Sequence, residues 1–191
     1  MVDYPTNTSH KPFNKALFLD RDGVIVDYVP YLSQPEQVKL PDGAGEALKK
    51  WQDAGYLLII ITNQAGVGRG YYSLQDVEKV HCYIQQQYSY FGVFFADIFI
   101  CPHHPNDKCF CRKPSPKMLI NASKKHHIVL SQSFFIGDAP SDLEAAIRAN
   151  CKPILVLTGR GLETMEKLAQ YPTGVKVFKK LFETVELINL G

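Results

Sequence analysis

Apolar residues gather along this chain in short runs that alternate with stretches of helical spacing. Residues 16–19, 56–61, 94–100, 133–136 and 153–157 are brief and mostly apolar, as buried strands are. Residues 175–178 form a last short run. Between them, Ala44, Ala47, Leu48 and Trp51 fall on one stripe and predict a helix over 43–54, ended by Gly55. Ser73 followed by Asp76 has the spacing of a capping box and opens a helix reaching about residue 90. Helices are also predicted at 117–127, at 140–150 with Pro140 near its first position, near 163–170 and near 181–190. Strands alternating with helices of this length predict right-handed βαβ units. The expected class is α/β, a doubly wound, Rossmann-like parallel sheet flanked by helices.

The polar residues that follow the apolar runs carry the chemistry. The first run delivers Asp20, Arg21, Asp22 and Gly23, and the second runs into Thr62, Asn63 and Gln64. Arg112 and Lys113 follow the third run and its loop, and the fourth ends on Gly137-Asp138-x-x-x-Asp142. Taken alone, Asp-x-Asp-Gly is an ordinary turn. Four such endings point instead to one site assembled at the carboxyl edge of a parallel sheet.

Composition narrows the options. A length of 191 residues suits one domain with a sizeable core. The net charge of +2 gives no basic stripe for nucleic acid, and Lys49-Lys50, Lys124-Lys125 and Lys179-Lys180 read as solvated helix faces. No apolar run approaches the roughly 18 residues of a membrane span. Residues 1–15 lack an apolar core and read as a polar N-terminal arm rather than a secretory signal. A cytoplasmic protein with reduced thiols is expected, acting on a small molecule as a monomer.

In order, Asp20-x-Asp22-Gly-Val, Thr62-Asn63, Lys113 and Gly137-Asp138-x-x-x-Asp142 resemble the four motifs of the haloacid-dehalogenase-like (HAD) phosphohydrolases. Within them, Asp20-Arg-Asp-Gly, Thr62-Asn-Gln, Cys101-Pro-His-His-Pro and Cys109-x-Cys111-Arg-Lys-Pro114 are similar to the D,D-heptose 1,7-bisphosphate 7-phosphatases. The phosphatase domain of histidinol-phosphatase enzymes is a near relative. The resemblance implies a HAD-like fold over residues 16–191. No segment between the motifs is long enough for a large cap domain, so short loops must cover the site.

Hydrolysis of a phosphate ester must hold a dianionic group in line and neutralise its charge. Asp20, first off the strand, is the candidate nucleophile, forming an aspartyl-phosphate. Asp22 points the same way on an extended chain and is the candidate general acid and base. Mg²⁺ suits such a site; Asp20, the Asp22 backbone carbonyl and Asp138 are its expected ligands. Asp142 is a further candidate, or a first-turn carboxylate of the helix that Pro140 opens. Lys113 supplies a fixed positive charge. Thr62, Asn63 and Gln64 are candidates for phosphate oxygens, and Arg112 and Arg69 for a second anionic group. The resemblance alone assigns Tyr28 and Tyr31 to the sugar. Ala139 stands where the heptose phosphatases usually carry Lys.

Cys101, His103, Cys109 and Cys111 put three thiolates and an imidazole in one loop, 101–111, the ligand set of a closed structural Zn²⁺ site. A disulfide, disfavoured in the cytosol, and unpaired thiols are the other readings. His104 reads as a solvated neighbour. Cys82, Cys151, Met118 and Trp51 read as packing residues.

The favoured function is a Mg²⁺-dependent phosphatase of a phosphorylated sugar, foremost the 7-phosphate of a heptose bisphosphate. Histidinol phosphate or another small phosphomonoester is the alternative substrate. A catalytically silent, zinc-stabilised binding module is the alternative of another class.

Overall fold

The computed structural model describes residues 13–171 and 174–190. The strands are β1 (Lys15–Leu19), β2 (Tyr56–Asn63), β3 (Asp97–Cys101), β4 (Phe134–Gly137), β5 (Lys152–Val156) and β6 (Lys176–Phe178). They form one six-stranded sheet in the order β3-β2-β1-β4-β5-β6, and every neighbouring pair is parallel. The α/β expectation holds. The chain leaves β1 towards β2 on one side and returns to β4 on the other. The carboxyl ends of these strands therefore border a topological switch point, where open α/β sheets bind ligands.

Period-two alternation divides the core between the two faces of the sheet. Leu17 and Leu19 of β1, with Leu58 and Ile60 of β2, join the cluster holding Trp51, Val80, Ile84 and Tyr88. Ala16, Phe18, Ile59 and Ile61 point the other way, into the cluster of Met118, Leu119, Ala145 and Ala146. Helices α1 (Ala44–Asp53) and α3 (Leu74–Ser89) thus cover one face, and α4 (Lys117–His126) and α5 (Pro140–Arg148) the other. Trp51 is fully buried against Tyr56 and Phe134, and its indole N–H donates to Thr184 Oγ1 at 3.1 Å. Truncating such a residue costs about 3–5 kcal/mol. At α3, Ser73 accepts from Asp76 N, and the Asp76 carboxylate accepts from Ser73 N, as the capping-box spacing predicts.

Several boundaries differ from the pattern. The third strand begins at Asp97, because Phe94 is 67% exposed and its N–H is held by Gln52 Oε1 instead of a ladder partner. The glycine-rich stretch after β2 contains a helical turn, α2 (Ala65–Gly68). The helix expected near 163–170 splits into α6 (Gly161–Met165) and a 3₁₀ turn, Leu168–Gln170. Leu181–Leu190 winds as 3₁₀ turns. The polar arm expected at 1–15 lies largely outside the described residues; Asn14 bridges to Ile128, and Lys15 already belongs to β1. Among the described residues no helix is long and apolar enough to cross a membrane.

Candidate active site

Three neighbouring strands hand their last residues to one cavity of about 290 Å³. Asp20 follows β1, Asn63 ends β2 and Asp138 follows β4. Asp22, Tyr28, Tyr31, Gln64, Arg69, Arg112 and Lys113 line the same walls. Thr62 does not: it is fully buried, and its hydroxyl accepts from Gln64 Nε2 at 2.8 Å. Asp142 also stays behind the wall.

Lys113 is the electrostatic centre. It is 3% exposed, and its Nζ lies 2.9 Å from Asp20 Oδ1 and 2.7 Å from Asp142 Oδ1, and donates to Ile61 O at 2.9 Å. Two carboxylates and a carbonyl around the ammonium leave it one position. Burial opposes its charge, but the carboxylates of Asp142 and Asp20 outweigh burial and raise its pKa. Asn63 clamps the backbone of Lys113, accepting from its N–H at 3.0 Å and donating to its carbonyl at 3.2 Å. Asp142 divides its oxygens between Lys113 and the N–H of Ala139 (3.1 Å), the cap of α5. This carboxylate holds Lys113 and the helix start, and it also stands beside Asp20 and Asp138.

The acidic groups suit a divalent cation. Oxygens of Asp20, Asp138 and Asp142 lie within 4.8 Å of one another. Burial pushes Asp20 up to about 6, with Asp142 adding to the rise and Lys113 opposing it. Burial, then the charges of Asp20 and Asp142, pushes Asp138 up to about 8. Carboxylates that repel one another in a dry site are the donors a cation relieves. Glycines make the room: a Cβ on Gly23 (φ +83°) would meet Asp138 Oδ2 at 2.3 Å, and one on Gly159 (φ +53°) at 2.1 Å. Asp138 is fixed by the Arg160 N–H, which donates to its Oδ2 at 2.8 Å.

Cationic and aromatic side chains line the same cavity. One buried guanidinium nitrogen of Arg112, Nη1, has no hydrogen-bond partner among the described residues. Tyr31 packs edge-on against Tyr71, with ring centroids 4.8 Å apart.

Cys101 ends β3 and begins the loop that leads to Arg112. Its Sγ lies 3.7 Å from Cys109 Sγ and 3.5 Å from His103 Nδ1, and Cys111 Sγ lies 3.2 Å from that same nitrogen. Tetrahedral zinc with Zn–S bonds of about 2.3 Å spaces its sulfurs about 3.8 Å apart. All four cysteine and histidine ligand atoms lie within 4.8 Å of one another, and the cysteines are free thiols. The donor set therefore fits the metal.

The sequence pattern left several site residues unmarked. Arg21 is 1% exposed and pairs with Asp22. Tyr72 reaches Gln64 from the loop before α3. Ser141 and Arg160 line the cavity beside Asp138. Arg21 had a signal, lying inside the Asp-x-Asp motif; Tyr72 had none, since its partner is set by tertiary folding.

The family profile described as HAD-hydrolase-like matches residues 110–183. A D-glycero-β-D-manno-heptose-1,7-bisphosphate 7-phosphatase of Helicobacter pylori is 41% identical over 174 residues, covering 91% of this chain and 98% of that protein. The Pseudomonas aeruginosa protein of the same name is 39% identical, covering 86% and 92%. The crystal structure of D,D-heptose 1,7-bisphosphate phosphatase from B. bronchiseptica, complexed with magnesium and phosphate, superposes with a TM-score of 0.85 at 32% identity, covering 92% of this chain and 98% of that one. The chain is a member of the haloacid-dehalogenase-like phosphatases, in the group that holds these heptose-bisphosphate enzymes.

Proposed function

We propose that this protein hydrolyses the 7-phosphate of D-glycero-D-manno-heptose 1,7-bisphosphate and leaves the 1-phosphate in place. One observation carries the reading: Asp20, Asp22, Lys113 and Asp138 meet in a cavity that Arg112 also lines, with a buried nitrogen unpartnered among the described residues. A substrate with two phosphates supplies a second anion for Arg112. Relatives carrying that name over nearly their full length support the substrate class.

Asp20 attacks phosphorus, and the bond from phosphorus to the sugar oxygen breaks. The released oxygen takes a proton from Asp22, which then removes one from the water that attacks the aspartyl-phosphate. Lys113, pinned between Asp20 and Asp142, meets the charge on the transferring group without rearranging. Asn63 serves by fixing the Lys113 backbone. Asp20, Asp138 and the Asp22 carbonyl would hold Mg²⁺, which when bound neutralises phosphate charge. Arg112 and Arg69 take the distal phosphate, and Tyr28 and Tyr31 border the sugar. Zinc on Cys101, His103, Cys109 and Cys111 braces the loop that presents Arg112. Residues 16–191 act as one domain, and the free thiols suit a cytoplasmic setting.

The test is phosphate release, with Mg²⁺ present, from the heptose bisphosphate, other sugar bisphosphates and histidinol phosphate. The heptose bisphosphate is expected to give the highest kcat/KM. Faster turnover of histidinol phosphate would overturn the substrate, and no release from any phosphate ester would restore the binding-module alternative.

A further inference from the structure

Asp22 is held on both oxygens by groups from two separate segments. Arg21 Nη2 and Nε donate to Asp22 Oδ1 at 2.9 and 3.1 Å, and Nε reaches Oδ2 at 3.2 Å. Gln64 Nε2 donates to Asp22 Oδ2 at 3.1 Å. The same amide nitrogen donates to Thr62 Oγ1 at 2.8 Å, and Gln64 Oε1 accepts from the Tyr72 hydroxyl at 2.8 Å. Both hydrogens of the Gln64 amide are thereby used, and the side chain is 1% exposed. Arg21 is anchored in turn, its Nη2 donating to Leu32 O at 3.3 Å. Tyr72 is seated on Gly66, where a Cβ would come within 2.2 Å of its ring.

We infer that Gln64 and Arg21, with Tyr72 behind Gln64, are positioning residues that aim Asp22 at the leaving oxygen of the substrate, and that Gln64 serves proton transfer rather than phosphate binding. The inference rests on the role of Asp22 proposed above. A carboxylate that must meet a leaving oxygen at about 2.6–3.2 Å needs one rotamer. The side chain of Asp22 is 22% exposed and opens on the cavity, so the protein supplies that rotamer by donors from behind. In the step concerned, the bond between phosphorus and the sugar oxygen breaks, its electron pair stays on that oxygen, and the Asp22 proton joins it.

Leaving-group dependence separates this role from a structural one. A sugar alkoxide must be protonated as it departs, whereas p-nitrophenolate leaves without help. The value of kcat/KM reports the steps up to that departure. Gln64→Met keeps the volume and removes the amide. It is expected to lower kcat/KM for the heptose bisphosphate by about 30-fold, within the range for general acid catalysis. For p-nitrophenyl phosphate the loss is expected to stay within about 3-fold. Tyr72→Phe is expected to give a smaller loss with the same discrimination. The double variant is expected to be no worse than Gln64→Met alone, as for residues acting through one chain of bonds. Equal losses on both substrates for Gln64→Met and Tyr72→Phe would overturn the inference. Should Gln64→Met fail to fold, Tyr72→Phe decides the same comparison. Asp22→Asn is measured alongside: discrimination there without discrimination in the Gln64 and Tyr72 variants overturns the positioning role alone, and none in Asp22→Asn overturns the acid assignment.

Discussion

Asn63 and Lys113, fifty residues apart in sequence, close a two-bond clamp: Asn63 Oδ1 accepts from Lys113 N at 3.0 Å, and Asn63 Nδ2 donates to Lys113 O at 3.2 Å. The clamp joins the end of β2 to the loop that carries the cationic residues. It sets where the Lys113 side chain starts, and Asp20, Asp142 and Ile61 set where it ends. Asn63→Ala removes both bonds and leaves the Lys113 backbone free to shift. A misplacement of about 1 Å at a catalytic charge can cost about 100-fold. The variant is expected to lose about that much kcat/KM with little change in far-UV circular dichroism. A variant at wild-type rate would mean that Lys113 is placed without the clamp.

Much of this frame is legible in the sequence, and the reasons differ by residue. Asp20, Asn63 and Asp138 follow strands buried on both faces, so continuous apolar runs mark their positions. Asp22 stands two residues beyond Asp20, and Lys113 follows the third run and its loop; the motif resemblance gives both their roles. Thr62 is expected at the phosphate, but strand alternation turns it inward, where its hydroxyl accepts from Gln64. Gln64 lines the cavity as expected, while its amide partners Asp22, Thr62 and Tyr72 are set by tertiary folding and carry no mark in a polar loop. The apolar run starts at Phe94, yet β3 is an edge strand and starts three residues later. Tyr72 and Arg160 act only through contacts made after folding.

Asp20 and Asp138 give the metal site a pH signature. In the metal-free protein both carboxyls are raised, by burial first and by neighbouring carboxylates second. A cation must displace whatever protons they hold. Mg²⁺ binding is therefore expected to release protons near pH 7 and to weaken as the pH falls from about 8 towards 6. Isothermal titration calorimetry in buffers of different ionisation enthalpy measures that release. Binding with no proton release between these values would rule out Asp20 and Asp138 as the ligands. Turnover is expected to stop when Mg²⁺ is chelated.

The loop of Cys101, His103, Cys109 and Cys111, proposed to hold zinc, bears on the site through two attachments. Cys111 directly precedes Arg112, and the carbonyls of Cys101 and Pro102 accept from the N–H groups of Gln64 and Gly68 at 2.8 Å each. Loss of the metal should loosen Arg112 more than the sheet, whose strands pair without it. Cys109→Ser is expected to bring zinc well below one per chain and raise KM for the bisphosphate about tenfold, a change of about 1.4 kcal/mol. Far-UV circular dichroism should hardly move. Zinc-free wild-type protein with normal KM would show that the thiols serve another purpose.

His81 predicts how stability responds to acid. It sits in α3 at 4% exposure, and its Nε2 has no hydrogen-bond partner among the described residues. Burial, reinforced by the Arg21 guanidinium, lowers its pKa from 6.5 to about 3. Between those values the unfolded chain binds a proton at this position that the folded chain refuses. Stability therefore falls as the pH drops below about 6.5, with a slope of up to about 1.4 kcal/mol per pH unit. Asp20 and Asp138 act in the opposite sense, because their folded pKa values are raised and their protonation favours the folded state as pH falls. A comparison with His81→Leu cancels their contribution, since both proteins share it. The difference in unfolding free energy between wild type and His81→Leu, measured by urea titration from pH 7 to pH 4.5, is expected to shift steadily in favour of the variant as the pH falls. A difference that stays constant over that window would mean that His81 accepts its proton in the folded protein.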